Sequence, residues 1–195
     1  MRHPLQRGFS LIEVSIVTAI ILLIAVIGVP AVTAYVVENK VPRVAEELQR
    51  FVLRLKVGAQ GAGPMPYASV QTGVLAEAMR TSGVLTVNGS AGMGGSAVVA
   101  HGLGGAGEGG NGVVTVQPVD GGAAFSLTLS NVNRAACPAL PSILQRLAET
   151  VRIETSRGGG YAKNDRGTVP LAYSAITAQN LCNAGDDNLF EFTFR

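Results

Sequence analysis

The sequence predicts an α+β protein in which a long N-terminal helix, transmembrane and then amphipathic, packs against a single antiparallel sheet. Three observations point there. Val14 to Val37 contains no charged residue. Beyond Tyr35, the apolar residues Val41, Val44, Leu48, Phe51 and Leu55 recur at alternating three- and four-residue steps, with Arg43, Glu46, Glu47, Arg50 and Arg54 falling mostly elsewhere. Further on, Val113 to Val116 and Ala124 to Leu129 alternate apolar and polar positions on either side of Asp120-Gly121-Gly122, a turn signal. A chain this short can hide a helix stripe and a sheet face only against each other.

Length and composition set the frame. The 195 residues allow one globular domain plus an appendage. With 14% charged residues, 25 glycines and no Trp, usage departs from that of a soluble enzyme toward a membrane or assembly protein. Formal net charge is +2, but setting aside Arg2 and Arg7 leaves 13 basic against 13 acidic residues, so the bulk charge does not point to nucleic acid.

The elements follow in chain order. Arg2 and Arg7, with His3 between them, precede the apolar run and orient a short leader toward the cytoplasm. A helix over Val14 to Val37 is about 36 Å long at about 1.5 Å per residue, enough to cross a bilayer core of about 30 Å with some tilt. Glu13 stands at the head of this run. A carboxylate on an isolated helix near a bilayer costs several kcal/mol, less at the interface, so it should have a partner. Pro30 and Pro42 each remove a helical hydrogen bond and read as kinks in one long helix, a stop at Pro42 being the alternative. Gly58, Gly61, Gly63, Pro64 and Pro66 then end it, which places the helix at 9–60, transmembrane to about 37, and a globular domain at 61–195.

Within that domain, Val70 to Thr81 reads as a helix ended by Gly83, and Val84 to Val87 as a short strand. Gly89 to Gly112 reads as a flexible surface loop. Val113 to Val116 and Ala124 to Leu129 form the hairpin, Pro141 to Thr150 a helix entered through Ser142 or the Cys137-Pro138 turn, and Val151 to Thr155 a strand. Leu189 to Phe194 sets Phe190, Phe192 and Phe194 on one face, which should pack on the long helix. Cys137 and Cys182 lie outside any C-x-x-C pattern, and an even count behind an export-like N-terminus favours one disulfide over two free thiols. Such a bridge closes a loop of roughly 46 residues and contributes about 4 kcal/mol in chain-entropy terms.

The N-terminal residues also carry a resemblance. A basic leader ending in Gly8, then Phe9-Ser10-Leu11-Ile12-Glu13-Val14 and an apolar run, closely resembles the prepilin signature of type IV pilins and type II secretion pseudopilins. The resemblance implies the pilin fold, cleavage by prepilin peptidase after Gly8, methylation of Phe9 as the mature terminus, and a helix-kinking role for Pro30. It also implies that Glu13 pairs with the N-terminal amine of a neighbouring subunit as helices bundle into a filament. "FSLTLSNVNRAACPAL" and the terminal "NLCNAGDDNLFEFTFR" look like the globular domain of type IVb pilins, especially the PilS-like subunits of conjugative thin pili. There one cysteine opens a helix after an F-x-L-T strand and the second precedes the last strand, the places of Cys137 and Cys182. The short leader and Phe9 are as in type IVa pilins.

Other signals do not develop. Gly102-Leu103-Gly104-Gly105-Ala106-Gly107 matches G-x-G-x-x-G, but Glu108-Gly109-Gly110-Asn111-Gly112 cannot begin the helix a dinucleotide site requires. His3 lies in the leader and His101 in the glycine-rich loop, so histidine chemistry would rest on one mobile residue. Asp186 and Asp187 lack the alternating oxygen ligands of a calcium site and read as a turn before the last strand.

The expectation is therefore a structural subunit, a major pilin with no enzymatic activity, no cofactor and no metal. It sits in the inner membrane as prepilin and then in an extracellular filament serving adhesion, conjugation or motility. Its partners would be copies of itself, prepilin peptidase, an assembly ATPase and an inner-membrane platform, with nucleic acid not bound directly. The rivals are a pseudopilin or minor pilin and, from another class, a signal-anchored or secreted enzyme cut after Val32-Thr33-Ala34.

Overall fold

A computed structural model describes residues 10–92, 96–104 and 112–195. The chain divides into two compact units, one ending at Thr33 and the other running from Ala34 to Arg195. Helix α1, Leu11–Gly58, belongs in part to each. It runs through both Pro30 and Pro42, which excludes a stop at Pro42. The kink expected of Pro30 falls on a residue whose side chain lies outside the described residues.

In the second unit the helical stripe is buried as its spacing predicts. Val41, Val44 and Leu48 have no exposure and Phe51 is 2% exposed, while Val37, Ala45 and Val52 extend the stripe on either side. Each side chain of Leu or Val size buried this way contributes about 1.5–3 kcal/mol. On the outer side of the helix, Arg50 pairs with Glu46 at 2.6 Å.

Against this stripe lies a seven-stranded antiparallel sheet, counted among the described residues. The elements after α1 are α2 (Thr72–Met79), β1 (Thr86–Asn88), β2 (Val98–Ala100), β3 (Val113–Val119), β4 (Ala124–Val132), α3 (Ala139–Leu144), β5 (Thr150–Thr155), β6 (Gly158–Asn164), α4 (Ala175–Leu181) and β7 (Asn188–Phe194). Sheet order is β1-β2-β3-β4-β7-β5-β6, so the last strand of the sequence fills the centre. There Phe192 stands between Leu127 of β4 and Val151 of β5, and Phe190 between Leu129 and Ile153. All six are fully buried in the core that also holds the α1 stripe. Their neighbours on the opposite face are Thr115, Thr128, Arg152 and Glu191, with an Arg152 to Glu191 distance of 3.8 Å. One apolar and one polar face are what alternation in a half-covered antiparallel sheet produces.

The β3–β4 connection is a 3-10 turn, Asp120–Gly122, with positive φ at all three residues. Gly122 is required there, since a Cβ would stand 2.8 Å from the Ala68 backbone. β4 carries one extra residue between Leu129 and Val132 relative to β7, and Asn131 takes φ 53° in this bulge.

Four expectations are corrected. The short strand lies at Thr86–Asn88 rather than 84–87. Helix α3 spans Ala139–Leu144 and not Pro141 to Thr150, because Thr150 is taken into β5 and Lys163 of β6 donates to the Gln145 and Ala148 carbonyls at 3.1 and 2.6 Å, holding the chain in a turn. The stretch Gly89 to Gly112 is not wholly a surface loop, for β2 runs through it with Val99 and Leu103 fully buried. Finally, β6 and α4 occupy a region to which the sequence pattern assigned nothing.

Candidate functional site

Two parts of the chain bear on function, and the first is the head of α1. Gly8 and Phe9 lie outside the described residues. Glu13 is in the first helical turn with its side chain exposed, and its Oε2 accepts a hydrogen bond from the Ser10 backbone N–H at 2.9 Å. Ser10-Leu11-Ile12-Glu13 is the S-x-x-E pattern of a capping box, and this is the bond by which its acidic member reaches back to a free N–H of the helix start. The sequence spelled that contact, but the reading of Glu13 as a carboxylate that needs a partner did not name Ser10.

Behind Glu13 the helix is apolar on all sides. Its most apolar window has a mean hydropathy of 2.8 and none of that window is buried within the described chain, so by length and composition α1 can cross a membrane. The hydroxyls that interrupt the apolar surface are satisfied internally, Ser15 Oγ on the Ile12 carbonyl and Thr18 Oγ1 on the Val14 carbonyl, both at 2.9 Å. Groups bonded this way can enter lipid without an unmade hydrogen bond.

The second part is the C-terminal region closed by the disulfide. Cys137 and Cys182 are bonded, S–S 2.05 Å, with Cα atoms 6.7 Å apart and both residues buried. Cys137 follows a 3-10 turn, Arg134–Ala136, and opens the approach to α3, while Cys182 ends α4 just ahead of β7. The bridge thus ties the α4 segment to the end of the β4 strand. Ser174 caps α4, its Oγ accepting from Thr177 N–H at 3.2 Å.

The turn between Cys182 and β7 is held by side-chain hydrogen bonds. Asp187 Oδ2 accepts from Ser156 Oγ at 2.5 Å and Asn183 Nδ2 at 3.0 Å, and these bonds, Ser156 first, hold its carboxyl below the usual aspartate range. Asp186 accepts from the Asn133 side chain, and Asn188 Nδ2 donates to the Val132 carbonyl at 2.9 Å. Among the described residues no cluster of His, Cys, Asp or Glu has the arrangement of a metal site. His101, expected in a mobile loop, is fully buried and hydrogen-bonded on both ring nitrogens.

Residues 4–29 match a family model described as the prokaryotic N-terminal methylation motif. No curated protein matches the chain. The motif ends one residue short of Pro30 and so covers the leader and the apolar head of α1. The chain carries this motif at the head of an apolar helix, with an α+β domain and its disulfide beyond, an arrangement that supports a type IV prepilin-like protein.

Proposed function

We propose that the protein is the major structural subunit of a type IV pilus. The observation that carries this reading is the methylation motif heading a helix whose apolar surface is left exposed among the described residues. The leader stays on the cytoplasmic side as the helix inserts into the inner membrane. Prepilin peptidase cuts after Gly8 and methylates Phe9, and the Cys137 to Cys182 bond closes in the exported domain. An assembly ATPase and an inner-membrane platform then move the subunit from lipid into a helical polymer, where neighbouring helices replace the lipid.

Glu13 acts as the register in that transfer. In the single chain it is engaged by an N–H of its own helix, so it can wait in the membrane interface without an unmet charge interaction. In the polymer, the methylated amine of a neighbour offers a full positive charge instead, available only at one axial offset. The type IVb assignment is supported by the position of the disulfide, with Cys137 entering α3 after the Phe125-Ser126-Leu127-Thr128 strand and Cys182 preceding β7. The chain carries no catalysis of its own, and the filament serves adhesion, conjugation or motility through its surface.

The test is N-terminal mass spectrometry of the protein from a host with its own export machinery. The expected terminus is N-methylated Phe9. A terminus at Tyr35 or an intact Met1 would return the secreted-enzyme or simple-anchor reading.

A further inference from the structure

His101 is one of two histidines in the chain, and it is fully buried just past the end of β2. Its Nε2 lies 2.8 Å from the Ser130 carbonyl and its Nδ1 3.0 Å from the Leu103 N–H. A backbone N–H can only donate, so Nδ1 is the bare acceptor and Nε2 carries the hydrogen given to Ser130. The same junction holds two backbone bonds, His101 N–H to the Gly112 carbonyl at 3.2 Å and Asn133 N–H to the Leu103 carbonyl at 2.9 Å. It is closely fitted, since a Cβ on Gly112 would stand 2.4 Å from the His101 ring.

We propose that His101 is an acid-sensitive latch, whose uptake of a second ring proton detaches β1, β2 and the turn after β2 from the rest of the sheet. The incoming proton has one place to go, Nδ1, where it meets the Leu103 N–H. Donor then opposes donor, and a full charge sits in a site closed to water. Burial already holds the ring below the ordinary imidazole range, with the Ser130 carbonyl opposing that to a lesser degree. The charges on the surrounding elements are few. Lys40 of α1 places its ammonium 3.7 Å from where a Cβ on Gly102, the next residue, would stand. α2 brings the exposed Glu77 and Arg80 pair at 2.8 Å, and Asp186 is engaged by Asn133. Strands β1 to β4 carry no titratable side chain.

Beyond the latch, β1 and β2 are held by packing against α2 and by few sheet pairings. Among the described residues, strand β2 pairs with β3 at two positions, Val99 with Val114 and Ala100 with Val113, and β2 is the only sheet neighbour of β1. Losing the latch therefore frees both strands and exposes Val99 and Leu103, which are fully buried when it is closed.

The sign follows from linkage. The closed state favours the neutral ring, so the open state binds the extra proton and acid drives opening. The experiment is hydrogen exchange on the full chain in detergent micelles between pH 7.5 and 4.5, with each amide corrected for its intrinsic rate. Protection at Val99, His101 and Leu103 should fall close to tenfold per pH unit below about 6.5, until the closed-state pKa is passed, while β4 and β7 stay unchanged. In His101→Gln, whose amide still donates toward Ser130 but does not titrate, protection should be flat with pH. Flat protection in the native protein, or the native pH profile persisting in His101→Gln, overturns the proposal. Should that variant fail to fold, nitrogen-15 spectra of the His101 ring in the native protein decide. Titration near pH 6.5 with the Leu103 amide still protected refutes the latch, whereas a ring that stays neutral well below pH 6.5 and charges as that amide opens supports it.

Discussion

The two halves of α1 share one backbone conformation and differ in where their apolar surface goes. From Leu11 to Val32 every large apolar side chain described is at least 51% exposed, and Glu13 is the sole charged residue. From Val37 to Val52 an apolar stripe is buried to 3% exposure or less, and charged residues such as Lys40, Arg43, Glu46 and Arg50 occupy the other side. Helix propensity does not separate the halves, because both are helical. What separates them is that the second half buries its stripe within its own unit, whereas the apolar surface of the first stays exposed among the described residues. A contiguous apolar surface of that length left in water would be an association site.

The comparison makes stability and assembly separable. The largest expected effect on stability comes from opening the disulfide in the domain of the second half. Cys137→Ser with Cys182→Ser should lower unfolding free energy by about 4 kcal/mol, the chain-entropy value for a loop of roughly 46 residues. Denaturant titration of the detergent-solubilised protein measures it, and membrane insertion should be unaffected. A matched pair of substitutions in one helix comes next. Leu48→Ala removes a side chain with no exposure and should cost about 3 kcal/mol, while Leu22→Ala, at a position 66% exposed, should leave the domain's denaturation midpoint unchanged. Equal losses from the two would erase the distinction between the halves.

What the sequence disclosed tracks how much of each element's conformation is set by its own pattern. The α1 stripe, the β3–β4 hairpin and the Phe190, Phe192, Phe194 face were plain, because the period of burial is written in the residues themselves. Strand β6 begins Gly158-Gly159-Gly160 and has no alternation to read, its extended form being imposed by pairing with β5. Helix α4 offers only its Ser174 cap and seven residues, too few for a period to emerge. Strand β2 has three residues amid glycines, and its burial depends on β3, more than ten residues away. For the same reason His101 read as mobile, since both partners of its ring are set by the fold. The N-terminal motif was plain because it is a linear pattern of residues, independent of the fold.

A smaller effect concerns pH. Asp187 has its carboxyl held below the ordinary range by Ser156 and Asn183, so its contribution to stability is complete above the unfolded value near 3.9 and is lost as pH falls through the lower folded-state value. Asp187→Asn should therefore flatten the acid limb of a stability profile below about pH 4. It should leave the pH 5 to 7 region, where His101 acts, unchanged. Denaturant midpoints of the two proteins at stepped pH provide the check, and a change confined to the higher range would misplace the titrating group.

The least effect on folding should come from Glu13→Gln. Glutamine still accepts from the Ser10 N–H, and the box loses only the charge–dipole part, a few tenths of a kcal/mol at an exposed helix start. Insertion, cleavage after Gly8 and the domain's unfolding should all stay as in the native protein. Filament yield should nevertheless collapse, because a neutral amide gives a neighbour's methylated amine no counter-charge at the correct offset. Electron microscopy of sheared filaments beside a processing assay separates the two outcomes. Abundant normal filaments from Glu13→Gln would mean that helix packing alone sets the register. The exposed half of α1 would then be specified by shape, and the carboxylate would serve only as the cap of its own helix.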